Sequence, residues 1–217
     1  MARAQLVTAG VGSSAIHRAL RSARLHRLHR GVLSTLAPEL LGEDALLIAA
    51  LLAAGDGAVL SYGTAAWRWQ IIPAPPARIE LTVPRTRTAP QGITLFQGQL
   101  RPDDLTLNAH FPSTSVPRTL LDLATRYDPP ALLRALAEAE FRHDLRPTDI
   151  LQTLRRGHPG SANLRAALNH HTPGHGETKS QLERRFRTLL IDRASSCHSA
   201  TSPSAPGPST ASGPTAA

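Results

Sequence analysis

Ser14, His17, Arg18 and Arg21 stand three, four and seven residues along from the first of them, so on a helix all four share one face. Arginine presents a planar fork that pairs bidentately with guanine edges or with phosphate oxygens. Arg24, Arg27 and Arg30 follow at three-residue intervals, and with Arg3, Arg18 and Arg21 they make six arginines in the first thirty residues. No Asp or Glu precedes Glu39, while the whole chain carries a formal charge of +8. An unopposed basic patch of this kind attracts a polyanion with salt-dependent affinity. The pattern therefore predicts His17, Arg18 and Arg21 at base edges in a major groove, Ser14 on the same face, and Arg24, Arg27 and Arg30 on phosphates. The competing account is a solvated helix face in the arginine-rich chain of a GC-rich genome.

These side chains need a helix and a hairpin to hold them. Ser13 or Ser14, after Gly12, is expected to cap a helix running to about Ser22, with Ile16, Leu20 and Ala23 on its packing face. Residues 25–30 read as a basic strand, Gly31 as the turn and Val32-Leu33 as the returning strand. Residues 3–9 supply a preceding helix, with Gly10 and Gly12 flanking the turn between the two. Helix, turn, helix, hairpin is the layout of a winged helix-turn-helix, in which the second helix enters the groove and the wing lies along phosphates. Such a unit usually has one more helix ahead of the pair. The sequence is expected to lack it, leaving a truncated unit with a smaller apolar core, or a start codon placed downstream of the true one.

Composition bounds the rest. At 217 residues with 41% hydrophobic but only 4% aromatic content, the core has to be built from Leu, Ala, Val and Ile, which favours helices. The single cysteine, Cys197, excludes an internal disulfide framework and a cysteine-rich zinc site. No apolar run approaches the roughly 18 residues of a membrane span, and no signal-peptide core follows Met1. The expectation is a cytoplasmic protein with no membrane partner and no cofactor.

Residues 39–54 are nearly apolar all round and predict a helix buried on most sides. A short strand over 58–60 and a helix over 63–69 capped by Ser61 come next. Trp67 and Trp69 cannot share a helical face, so one is assigned to the core and the other to a contact surface or a lid against the loop over 73–76, with core packing the safer assignment for either. Residues 79–83 and 93–96 alternate as half-exposed strands, and the intervening 84–91 predicts a hairpin between them. Arg85 and Arg87 in that loop either extend the DNA track or are simply solvated. Residues 113–124 open a helix with Pro117 in its first turn, where Arg118 and Asp122, four apart, form a structural ion pair rather than a catalytic one. Helices over 129–141, 147–154 and 161–169 complete a helix-rich α+β chain. His170, His171 and His175 lie in a proline-glycine stretch without a cysteine or carboxylate among them, and no metal site is assigned. A helix over 182–191, with Ser180 and Glu183 in capping-box register, precedes a Ser, Pro, Ala, Gly and Thr tail over 195–217 that is expected to be disordered.

The order of these pieces resembles an actinobacterial family with an amino-terminal antitoxin domain of the type IV abortive-infection (AbiEi-like) kind. The likeness is carried by Arg27-Leu28-His29-Arg30-Gly31-Val32, Leu60-Ser61 with Ala65-Ala66-Trp67, Leu81-Thr82-Val83-Pro84, Arg118-Thr119-Leu120-Leu121-Asp122-Leu123-Ala124, and Ser180-Gln181-Leu182-Glu183-Arg184-Arg185-Phe186. It implies a DNA-binding winged helix over 1–38, an antitoxin-like α+β region over 39–172, and over 173–194 the opening helix of a very-short-patch-repair-like endonuclease domain. Relatives carry the nuclease sheet after that helix. Here it does not follow, and the lone Glu183 cannot hold a catalytic metal, so no catalytic residue is assigned and no enzyme activity is expected. Tyr62 stands where relatives often have histidine. The reading is of a double-stranded-DNA-binding, antitoxin-like transcriptional autoregulator. The alternatives are an interaction protein that neutralises a nucleotidyltransferase-like toxin, or a truncated, inactive relative of a PD-(D/E)xK endonuclease.

Overall fold

The computed structural model describes residues 1–170, within a compact unit spanning Met1–Thr172. The histidines His171 and His175, the helix expected over 182–191 with Ser180 and Glu183, and the 195–217 tail lie outside the described residues.

The chain opens with α1 (Arg3–Thr8) and α2 (Ser13–Arg21), then the antiparallel hairpin β1 (His26–His29) and β2 (Val32–Ser34). The order predicted from sequence is the order observed, with two local differences. Gly12 occupies the N-cap of α2, no side chain caps it, and both serines lie inside the first turn. Ala23 sits beyond the helix at φ 53° and is exposed, because the chain turns after Ser22 and closes the helix with hydrogen bonds from the Arg24 and Leu25 amides to the Ala19 carbonyl.

A single 3-10 turn, Pro38–Leu40, precedes α3 (Glu43–Ala54), whose first turn carries Glu43 and Asp44 at its positive end. This helix is covered on two sides. Leu47, Ala50 and Ala54 pack into an apolar cluster with the larger sheet, and Ala49, which cannot share their side with Leu47, is buried as well, while Leu46 and Ile48 are exposed. The apolar sequence without periodicity predicts burial on most sides, and β1, β2 and the larger sheet flank α3 while leaving Leu46 and Ile48 open.

That sheet is built from β3 (Val59–Leu60), β4 (Ile79–Val83), β5 (Ile93–Gln97), β6 (Leu105–Asn108) and β7 (Phe111–Thr114), in the spatial order β5-β4-β3-β7-β6. Between β3 and β4 lies α4 (Tyr62–Arg68), with Ser61 at its N-cap but the serine hydroxyl unpartnered. The sheet is mixed. β3 runs antiparallel to β4 and parallel to β7, and β6 and β7 form a hairpin. The hairpin expected between β4 and β5 is not formed: the two strands are parallel, Ile79 opposite Ile93 and Val83 opposite Gln97. The antiparallel partner of β4 is β3, and the proline-bounded stretch over 84–92 is long enough to carry the chain back alongside β4. Nor is β4 half-exposed. Glu80, Leu81, Thr82 and Val83 are all buried, since the strand has neighbours on both edges and helices α3 and α4 against it.

Helices α5 (Val116–Leu123), α6 (Pro129–His143), α7 (Pro147–Thr153) and α8 (Gly160–His170) complete the described residues. The third-last of these starts where sequence chemistry says it should: Asp128 accepts from the Ala131 amide at 2.8 Å, with Pro129 and Pro130 in the first turn. It stops at Asp144, held at φ 49°. Two apolar clusters hold the fold. One gathers Leu120, Leu121 and Leu123 of α5 with Leu132, Leu136, Ile150 and Leu164, and the other gathers Leu47, Leu60, Leu81 and Ile93. Trp69 packs against both and donates its indole N–H to the Thr114 carbonyl at 2.9 Å, whereas Trp67 packs on the second alone. Both residues are half-buried and packed against an apolar cluster, so neither is a bare contact surface and core packing describes both. The class is mixed α+β, helix-rich, as expected.

Candidate nucleic-acid interface

Ile16 anchors α2, at 2% exposure, with Ala15, Ala19 and Leu20 half-covered beside it. A helix pinned along that line turns the opposite positions outward. Ser14, His17, Arg18 and Arg21 are all exposed, as the helical period requires. The apolar half of the periodicity thus positions the polar half.

The hairpin is fixed in a similar way. Val32 and Leu33 are buried at 1% and 3% and tie β2 to the body of the molecule. The first residues add a further tie: the Leu33 amide donates to the Met1 carbonyl at 2.9 Å, and the Arg3 amide donates to the Gly31 carbonyl at 2.7 Å. Gly31 holds φ 80°, a conformation that a side-chain-bearing residue adopts only at a cost, and this makes the tight return possible. Pairing shifts register between Arg27 and His29, so Leu28 forms a bulge. Arg27 and Arg30 point to solvent, as does Arg24 in the turn before β1. Burial lowers the pKa of His29 below the ordinary imidazole value, so that ring is neutral near pH 7.

All seven residues expected at the interface, Ser14, His17, Arg18, Arg21, Arg24, Arg27 and Arg30, are therefore exposed and lie on α2, the turn after it and the hairpin that follows. None of the arginines among them, nor Arg3, makes an ion pair among the described residues. Arg85 and Arg87 are exposed in the loop after β4, with the Arg87 guanidinium lying against the Gly55 turn.

No protein-family model matches the chain, and no curated protein matches it.

A second polar centre lies away from the arginine face, and the sequence shows only a fragment of it. The i, i+4 pair Arg118–Asp122 is present, Nε to Oδ1 at 3.0 Å, but it belongs to a larger buried network. Arg118 also reaches Asp104 Oδ2 at 3.4 Å, Arg155 pairs with the same oxygen, and His158 Nε2 stands 3.8 Å from Asp122 Oδ1. Asp104 enters from the turn before β6, Arg155 and His158 from the loop before α8. Nothing in the local sequence links those three places. Burial pushes the Asp122 carboxyl up to about 6 despite the opposing pull of Arg118, and its Oδ2 has no hydrogen-bond partner among the described residues. Burial, reinforced by the charges of Arg118 and Arg155, lowers the pKa of His158. A cluster so enclosed links α5, the β6 edge and α8 and presents little to a ligand.

Proposed function

We propose that this chain is a cytoplasmic, non-enzymatic, double-stranded-DNA-binding protein of the antitoxin-like kind that regulates transcription of its own locus. The observation that carries the reading is an exposed helix face and an adjoining hairpin whose arginines have no acidic partner among the described residues. Elsewhere in the described residues Arg68 meets Asp44, Arg126 meets Glu80, Arg142 meets Glu138, and Arg118 and Arg155 lie within the buried network, while eight other arginines, Arg85 and Arg87 among them, make no ion pair. What sets the amino-terminal face apart is concentration: six arginines precede the first acidic residue, Glu39, which suits a partner that brings its own negative charge. Helix α2 supplies side chains to base edges through His17, Arg18 and Arg21 with Ser14 beside them, and Arg24, Arg27 and Arg30 hold phosphates.

The test is a fluorescence-anisotropy titration with the duplex upstream of the gene and with a scrambled duplex of equal length, each at two salt concentrations. Tighter binding to the upstream duplex that weakens with salt supports a repressor-like reader. Equal binding to both, collapsing at the higher salt, would reduce the face to an electrostatic patch and sink the proposal.

A further inference from the structure

A cavity of about 190 Å³ opens where α4, β4 and the end of α5 meet. Tyr62, Glu80, Arg126 and Tyr127 form its polar wall, and Pro76 and Leu123 its apolar one. The Glu80 carboxylate is only 9% exposed, and it accepts from the Gly63 amide at 2.7 Å and from Arg126. A carboxylate has room for about four donors, so acceptor capacity remains. Arg126 is half-exposed, lies 5.7 Å over the Phe96 ring, and has further N–H groups to give. Tyr62 stacks on the same ring at 3.8 Å and holds φ 48°, a left-handed backbone rare for a side chain of its size. Neither tyrosine hydroxyl has a hydrogen-bond partner among the described residues. Burial raises both phenol pKa values and keeps the groups protonated; beyond burial, Tyr62 feels Asp122 and Arg118 most, then Arg126 and Glu80, and Tyr127 feels Glu80 and Arg126.

Four features define what fits. The lining carries one negative and one positive charge already paired, so it does not select a charged ligand. It offers donors and acceptors side by side. Its aromatic and apolar surfaces suit a flat molecule. Its volume falls below the roughly 300 to 1,000 Å³ of drug-sized sites, which leaves room for on the order of ten heavy atoms. We propose that this cavity binds an uncharged, planar heterocycle of nucleobase size, its edge hydrogen-bonded by Glu80, Arg126 and the hydroxyls of Tyr62 and Tyr127. That chemistry is shared by a free base or nucleoside and by an unstacked base of a single strand.

Calorimetric titration of the full chain with adenine, guanosine, cytidine and uridine, and in parallel with short single-stranded homopolymers, separates the two sources. The expected result is a Kd below about 1 mM for at least one of these probes. Tyr127→Phe, which keeps the ring and removes one hydroxyl, should weaken that binding roughly three- to tenfold with an unchanged circular-dichroism spectrum. Binding of a free base or nucleoside assigns a small-molecule site, and binding of the strands alone assigns an unstacked base. No binding of any probe at millimolar concentration, or binding indifferent to both Tyr127→Phe and Tyr62→Phe, overturns the proposal. Because the duplex titration is a separate measurement, failure here leaves the reading of α2 untouched.

Discussion

Arg18 and Arg27 carry the same charge in two different places, and their substitution separates sequence reading from simple attraction. Arg18→Ala removes a fork aimed from the exposed face of α2, and it should cost about 1 to 3 kcal/mol on the preferred duplex while relaxing preference at one position. Arg27→Ala, on the hairpin, should weaken all duplexes alike and flatten the salt slope by about one. Identical losses in an anisotropy series would remove the division of roles. Asp122 makes a prediction of another kind. Its folded pKa of about 6 lies above the ordinary 3.8, so between these values the folded chain holds a proton that the unfolded chain releases. The associated stability is full below the lower value and is lost as pH rises through the upper one, a change on the order of 3 kcal/mol. Asp122→Asn cannot titrate. The unfolding free energy of the native chain minus that of Asp122→Asn should therefore fall by this amount from about pH 4 to about pH 7, measured by urea denaturation. A flat difference would show that Arg118 holds the carboxylate charged throughout.

Helix α8 owes its place to one small residue. A Cβ at Gly160 would run into the backbone carbonyl of Leu121 and crowd Thr125 and Ala124. A carbonyl of the α5 backbone cannot swing aside as a side chain can, so Gly160→Ala has to push the two helices apart. The expected cost is about 1 to 3 kcal/mol, read as a lowered urea midpoint with the slope unchanged. Leu164 and Ala167 of α8, which pack into the same cluster as Leu121, would lose contact with it. Helix α3 depends on its neighbours in a different manner. Its covered sides face the hairpin and β4, so the element that presents Arg27 and Arg30 is braced by the element that covers the large sheet.

Across the described residues, the first thirty hold six arginines that make no ion pair and precede the first acidic residue, Glu39, while five arginines of the body meet carboxylates. Replacing Arg24, Arg27 and Arg30 together by alanine should flatten the logarithmic salt dependence of duplex binding by about three while leaving the urea midpoint nearly unchanged, since all three are exposed. A large loss of stability in that variant would mean that these side chains hold the hairpin rather than a ligand.

What sequence alone determined is whatever depends on neighbours in the chain. The exposed set Ser14, His17, Arg18 and Arg21 follows from a helical period pinned by Ile16, the wing turn from Gly31, the start of α6 from Asp128 with two prolines, and the Arg118–Asp122 pair from a spacing of four. Tertiary structure alone decided what depends on partners distant along the chain. Parallel pairing of β4 with β5 was illegible because the alternation within a strand is the same whichever way its neighbour runs. Burial of Glu80 and Thr82 on a seemingly amphipathic strand required knowing that helices cover it. Asp104, Arg155 and His158 joined Arg118 and Asp122 only when the β6 edge and the α8 loop were folded against α5, and the cavity beside Glu80 exists only where three elements meet. Local periodicity fixes which way a side chain faces along its own element, but long-range packing chooses what it faces.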